Sequence, residues 1–465
     1  MDNSLNHCNA RHGTLKEFLH IAWPSVIVSI LNSLVGISDI LMVSSLGASA
    51  IAAVGLATKF LWILLLFVVG VASAGRVLIS QYFGANDIAG VKQTLVLGIA
   101  ILLALLLPFF VLFSVSPHSW LAYLTDDTQI QLLTAQYLKI TASTVFIIAI
   151  TISFDFALRA VGHTKLPLVL GTVVAASNIA LNYVLIFGKF GAPELGAVGA
   201  AWGTLLARLI HLTLLCVVIF SSDHILAPHL KELSVLAQFK KVQAFFLYSL
   251  PVGLTFLLFS AGNSLYHIIA AKLGTPALTV MSILEPIQVL VIAIFIGISE
   301  AGSILVARAL GSNNFSQAKQ LKGELIRYTT FGAMIIGVLL WLTQTPVLVF
   351  FDQLDSETHA LMINTYTILC ALVWLKIHNM VAFESILRAG GDNNWCLKTD
   401  VICMWVIGLP ITAFVGLILH WPFEYVYAAT FVEEIAKMLA SQSRMTKPHW
   451  VKNLTSVLSA KSTST

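Results

Sequence analysis

Few residues in this sequence can bind or move a charge, and the most telling of them stand inside apolar runs. Asp39 lies 15 residues after Pro24 in one such run. An ionised carboxylate at bilayer depth costs about 2.5–3.5 kcal/mol on insertion scales, so it should face the protein interior or a wet cavity. Burial raises a carboxylate pKa, which brings protonation towards neutral pH. A carboxylate that takes up a proton or binds sodium is the minimum hardware for cation coupling; the alternative is a structural group capped by neighbours such as Asn32 and Ser38. Asn178 and Asn182 are four apart and so share one helix face, and Thr204 stands on the next apolar segment. Their amides can ligate sodium or orient water, or serve as hydrogen-bonded glue between helices.

Other ionisable groups also fall at depth. Glu433, Glu434 and Lys437 lie mid-way along the last apolar segment, either as an internal Glu–Lys pair or as acids that attract a cationic substrate. Glu285 precedes Pro286, a pattern that can mark a broken helix lining a cavity, and Glu300 is comparably deep. Asp155–Arg159 and Glu384–Arg388 have i,i+4 spacing and read as structural or gating pairs with snorkelling arginines. Pro24 and Pro251 each break a helical hydrogen-bond ladder, giving a static kink or a hinge. Phe256, Phe259 and Tyr266 are candidates to line a cleft for an amphiphile. His267 and His378 are isolated in sequence and read as packing or lining residues. Cys8, Cys216, Cys370, Cys396 and Cys403 are scattered with no CxxC, so they are expected to be reduced packing residues, and no metal site or cofactor is expected. There is no GxxxxGK[ST], so ATP-driven export by this chain is not expected.

The elements that must position these residues follow from composition. Of 465 residues, 58% are hydrophobic and 10% charged, with mean hydropathy +0.89. Soluble domains carry roughly 25% charged residues, so a soluble enzyme is excluded. The net charge of +4 suggests no nucleic-acid partner. Twelve spans are predicted near 17–43, 51–80, 92–115, 131–158, 166–187, 197–220, 246–272, 280–307, 326–349, 361–387, 399–419 and 424–443. The first run, Ile21–Ser44, is too long for a signal peptide, and no A-x-A site follows it. Arg11, Lys16, Arg76, Lys92, Arg159, Lys231, Lys241, Arg308, Lys319, Arg388, Arg444 and Lys461 all fall on one side. The opposite loops hold Lys189 and Lys272 with Asp126, Asp127, Glu194, Asp352, Asp355, Glu357 and Glu424. The positive-inside rule then makes both termini cytoplasmic.

The chain also matches itself. Pro24 meets Pro251, Gly47 meets Gly274, Gly70 meets Gly297, and Lys92-Gln93 meets Lys319-Gln320; further on, Leu158-Arg159-Ala160 meets Leu387-Arg388-Ala389 and Arg208 meets Lys437. This predicts an all-α integral membrane protein of two parallel six-helix repeats. The expected organisation is an N-terminal lobe over 1–220, a cytoplasmic linker over 221–245, a C-terminal lobe over 246–445 and a tail over 446–465. Such lobes ordinarily rock about a central cavity, which points to transport and away from enzymatic activity.

Several segments resemble the multidrug and toxic compound extrusion (MATE) family. They are Ala22-Trp23-Pro24 with Asp39 and Leu46-Gly47; Gln81-Tyr82-Phe83-Gly84-Ala85-Asn86-Asp87; Leu158-Arg159-Ala160-Val161-Gly162-His163-Thr164-Lys165, similar to the family's LRGxGDTK turn with Ala, Val and His as departures; and Asn178 to Tyr183 followed by Gly196 to Thr204. Leu387 to Asp392 repeats the turn in the second half, and the likeness runs from about residue 15 to Trp450. The resemblance implies a V-shaped secondary antiporter that exports cationic or amphiphilic drugs or toxic metabolites in exchange for H+ or Na+, functional as a monomer in the plasma membrane, the bacterial inner membrane. The second half lacks an acid at the start of the seventh span, where sodium-coupled NorM-like members carry a glutamate; Phe259 stands in that region. This tilts the likeness to the DinF-like branch. There Asp39, Asn178, Asn182 and Thr204 would form the cation-coupling site in the N-terminal lobe. Asn182 replaces the second aspartate often found in that branch. The nearest alternative is a lipid-linked oligosaccharide or lipid flippase of the same superfamily, whose central cavity is usually more basic; here Lys59, Arg208 and Lys272 are few.

Overall fold

The computed structural model describes residues 2–115, 121–122, 126–221, 224–345 and 354–455, with side chains from 16 onward. Asp352, Lys461, the end of the predicted ninth span, part of the linker and the end of the tail lie outside the described residues, as do the side chains of Cys8 and Arg11. Helices α1 (Asp2–Ser44), α2 (Ala48–Gly84), α3 (Ile88–Val115), α4 (Thr128–Ala160), α5 (Lys165–Phe187) and α6 (Gly196–Ser221) form the first half. The second half holds α7 (Phe239–Leu273), α8 (Thr275–Gly311), α9 (Phe315–Leu342), α10 (Ser356–Met380), α11 (Asn393–Val401), α12 (Phe423–Ala429) and α13 (Val432–Thr446). Two of these helices run on in π-type turns, α10 through Val381–Leu387 and α11 through Ile402–Gly408 and, after Leu409–Ala413, through Phe414–Ile418.

Among the described residues, eleven helices are long and apolar enough to cross a membrane. In lipid every backbone polar group needs an internal partner, which a helix supplies within one segment. The predicted twelfth span is the exception. It is two short helices, α12 and α13, separated at Thr430 and Phe431, and the second carries Glu433, Glu434 and Lys437.

The internal repeat is written into the backbone. Gly47 and Gly274 have φ of 97° and 119°, Gly162 and Gly391 have 96° and 81°, and Asn86 and Asn313 have 58° and 59°. Left-handed backbone of this kind favours glycine and, next, asparagine. After the asparagines, Asp87 Oδ1 accepts from Gly90 N at 2.9 Å and Asn314 Oδ1 accepts from Gln317 N at 3.1 Å, so both following helices start on a side-chain cap. Asp127 and Asp355, read from sequence as loop acids, cap α4 and α10 in the same way.

The chain forms two compact units. One is Ile27–Gly253 with Thr455; the other is Leu254–Leu454 with the part of α1 up to Val26. The divisions therefore fall inside α1 and α7, two residues beyond Pro24 and Pro251, and not in the polar stretch 221–245. Packing explains this. In the first unit the start of α7 sits on α2 and α3: a Cβ at Gly253 would lie 2.8 Å from the Phe67 and Val71 side chains, and Lys241 Nζ donates to Gln93 at 3.1 Å. In the second, the start of α1 sits on α8, with Glu17 paired to Arg308 at 2.7 Å and the Gly297 position against Val26 N.

Helices α5 and α6 pack closely enough that a Cβ at Gly199 would lie 2.5 Å from the Leu185 carbonyl oxygen. Backbone cannot yield as a side-chain tip can. Gly199→Ala is expected to destabilise the protein by about 1–3 kcal/mol through overpacking, read as a lower unfolding temperature of the purified protein in detergent.

Candidate functional site

Asp39 sits near the end of α1, half-buried beside the exposed Ile37, Ile40 and Leu41. Its partner is Asn182 on α5, whose Nδ2 donates to Asp39 Oδ1 at 2.7 Å. Asn182 is fully buried, and the same Nδ2 lies 3.3 Å from Asn178 Oδ1, one helical turn away. Asn178 Nδ2 in turn donates to Thr204 Oγ1 of α6 at 3.4 Å. The four predicted residues thus form one chain of hydrogen bonds across α1, α5 and α6. The carboxylate is capped from another helix, and not by Asn32 or Ser38 as a purely local reading would have it.

Room for this chain comes from a glycine. A Cβ at Gly203 would lie 2.0 Å from Asn182 Oδ1. Arg208, one turn beyond Thr204, acts electrostatically on both Asp39 and Asp155. A carboxylate, two amides and a hydroxyl on three helices give a cation an anionic ligand and neutral oxygens. They also give a proton a single site, with neighbours that can donate to the charged form.

The second half builds a denser network. Glu433 is 2% exposed; Tyr266 Oη donates to its Oε2 at 2.7 Å, and Lys437 Nζ lies 3.6 Å from its Oε1. Lys437 also reaches Asp400 at 3.5 Å, and Arg388 pairs with Asp400 and with Glu384. Glu434 accepts from Asn379 Nδ2 at 2.8 Å and lies 3.9 Å from Lys376 Nζ. The π-turns bring these groups together: Glu384 stands in one, and Gly408, which closes another, leaves the space that Tyr266 Oη and the Glu433 carboxylate fill.

The repeat relates the two sites. Its register sets Asp39 against Tyr266 and Thr204 against Glu433. Both halves join their first helix to another by a hydrogen bond to a carboxylate, but the carboxylate has moved from the first helix to the last.

The remaining predicted residues divide. Glu384–Arg388 is paired as expected, whereas Asp155 faces His211 of α6 at 3.6 Å and Arg159 lies over the Phe156 ring. Tyr266 is buried in the charge network, so it does not line an open cleft; Phe259 is exposed. Glu300 is buried at 4% exposure on α8. Glu285 faces His267 at 3.0 Å, so His267 is not isolated, and His378 lies between Thr330 and Gln442. Sequence reasoning missed Asp400, Lys376, Asn379 and His211. Asp400 stands at the start of a predicted apolar span, a signal that was available; the others meet their partners only through tertiary packing.

The sequence matches the MatE family over residues 24–184 and 251–414. It is 24% identical over 449 residues to "Uncharacterized transporter YisQ" of Bacillus subtilis, covering 93% of this chain and 94% of that one. It is 24% identical over 403 residues to "Probable multidrug resistance protein NorM" of Thermotoga maritima, covering 85% and 84%. A solved outward-facing multidrug resistance MATE transporter of the MOP superfamily superimposes with a TM-score of 0.84 at 18% identity, covering 93% of this chain and 96% of that one.

Two substitutions check the geometry. Gly203→Ala should drive Asn182 off Asp39 and destabilise the first unit by about 1–3 kcal/mol. Tyr266→Phe should leave the buried Glu433 carboxylate short of a donor, at a cost of about 1–3 kcal/mol. Thermal unfolding in detergent reads both, and unchanged midpoints would count against the hydrogen bonds described.

Proposed function

Because the chain belongs to the MatE family, we propose that it is a secondary antiporter that exports cationic or amphiphilic drugs or toxic metabolites in exchange for inward H+ or Na+, with Asp39 as the coupling site. The observation that carries this reading is the 2.7 Å bond from buried Asn182 to Asp39 inside apolar helices. The multidrug-resistance names of the relatives supply the substrate class.

The coupling follows from what that bond requires. While Asp39 is ionised, Asn182 holds it by a charge-assisted hydrogen bond, worth about 1.5–3 kcal/mol. A proton on the carboxylate, or sodium among Asp39, Asn178, Asn182 and Thr204, removes the bare negative charge that the amide was answering. The grip of α5 and α6 on the end of α1 then changes. Helix α1 passes through both compact units, and their division lies two residues beyond Pro24. Pro24 and its counterpart Pro251 lack a backbone N–H and leave their ladders open, so they serve as the hinges at which a changed grip becomes a bend. The driving force is about 2.3 kcal/mol per charge per 100 mV, plus the concentration gradient.

The acid in the first half, with Phe259 in place of one on α7, favours the DinF-like branch. The lopsided distribution of Lys and Arg supports cytoplasmic termini, and the bacterial relatives support the bacterial inner membrane. The protein acts as a monomer, without a cofactor and without enzymatic activity.

The test is dye efflux from vesicles under an imposed proton or sodium gradient. Asp39→Asn, at equal expression, is expected to reduce gradient-driven efflux to the level of empty vesicles. Unchanged efflux would sink Asp39 as the coupling site.

A further inference from the structure

The segment that joins α6 to α7 carries an apolar row that the coupling reading does not use. It holds one helical turn, Leu230–Leu233, and one 3-10 turn, Ser234–Ala237, before α7 begins at Phe239. Leu230, Leu233, Leu236 and Phe239 recur every third residue and are 85%, 44%, 43% and 74% exposed. In 3-10 geometry side chains at i and i+3 stand one above the other, so Leu233 and Leu236 lie in line. The stretch that follows α13 in the second half is built the other way, with Trp450 and Leu454 buried.

The row is held outward because the rest of the segment is fastened to the first unit. Leu226 and Ala227 are buried in a core with Val91 and Leu95 of α3 and Leu158 of α4. His224 meets His163, in the turn between α4 and α5, at 3.3 Å. Val235 is fully buried where the 3-10 turn packs on α3. A loose connection could fold its leucines inward. This one cannot turn the row over without giving up the burial of Leu226 and Val235.

Position and charge identify what covers the row. The segment starts and ends on membrane-spanning helices, at Ser221 and Phe239, so it stands at the level of the lipid headgroups. Lys231, Lys240 and Lys241 bracket the row, and Lys92 of α3 is near enough to act on Glu232. Glu232 is the one acid between residues 224 and 241. Its Oε2 accepts from His229 N at 2.8 Å, which ties it to the segment's own backbone. Apolar side chains in line, flanked by lysines whose stems can lie along them, suit a segment that lies in a membrane interface. We propose that Leu230, Leu233, Leu236 and Phe239 insert into the leaflet at the basic end of the bundle, with the lysines on anionic headgroups, and so anchor the first unit there. The anchor depends on neither the coupling ion nor the direction of export.

The experiment places the full-length protein in vesicles in mixed orientation, so that the result does not depend on which face is cytoplasmic. The five cysteines are replaced by serine, and the fluorophore NBD is attached through Leu233→Cys or, as a control off the row, Ala237→Cys. In phosphatidylcholine containing phosphatidylglycerol, the label at position 233 should be quenched by lipid with a shallow doxyl group and shielded from iodide on both sides. The label at position 237 should show the reverse. Omitting phosphatidylglycerol should lower the doxyl quenching at 233. The native protein, without labels, gives a second measurement should the cysteine replacements cost the fold. Trypsin cleavage after Lys231, in the half of the molecules that the protease reaches, should be about fivefold slower with phosphatidylglycerol than without it. Leu230→Ser with Leu233→Ser, which leaves Val235 in place, should remove that difference. A label at 233 open to iodide, a label shielded from both quenchers, or cleavage indifferent to phosphatidylglycerol overturns the proposal.

Discussion

A charge in apolar surroundings must be answered within reach of its own atoms, and the arrangement of this protein follows from that constraint. Asp39 is answered by one amide of Asn182, Glu433 by Tyr266 and Lys437, Glu434 by Asn379 and Lys376, and Asp400 by Lys437 and Arg388. Each answer comes from a different helix or a different turn, so each ties segments that apolar packing alone would leave free to slide. The glycines at 203 and 408 belong to the same scheme, because the partners reach each other only where a neighbouring helix has no side chain.

The two halves solve this problem in different ways. In the first, Asp39 takes its hydrogen bond from a neutral amide, with Arg208 acting on it only electrostatically, so the loss or gain of one cation changes the balance there. In the second, acids and bases interlock, and removing any one leaves another buried charge unanswered, which is strongly destabilising. That contrast suits a division of labour in which the first half responds to a cation and the network at Glu433 gives the second half a fixed shape.

Much of this was legible in the sequence because lipid imposes simple rules. The eleven long apolar helices among the described residues all fall on spans predicted from hydropathy, and the backbone repeat at Asn86 and Asn313 or Gly162 and Gly391 follows the matched residues. The Asp39, Asn178, Asn182 and Thr204 group was readable too, from four-residue spacing and depth. What escaped were partners set by packing between segments. His267 looked isolated because Glu285 is on the next helix, and Asp155 met His211 in place of Arg159. The division of the units within α1 and α7 was equally hidden, since a continuous apolar run does not show which neighbour each part will touch. Helix α13 falls largely within the predicted span 424–443 although Glu433, Glu434, Lys437, Ser441 and Gln442 make it polar; the break lies in the backbone at Thr430 and Phe431.

That break has an electrostatic consequence. Starting a new helix at Val432 puts Glu433 and Glu434 in its first turn. There the unpaired N–H groups and the aligned peptide dipoles present the equivalent of about half a positive charge. An unbroken twelfth helix would have left both carboxylates mid-way along the dipole, answered by side chains alone. The interruption gives the backbone itself a share in neutralising them, so a main-chain irregularity does part of the work of a counter-ion.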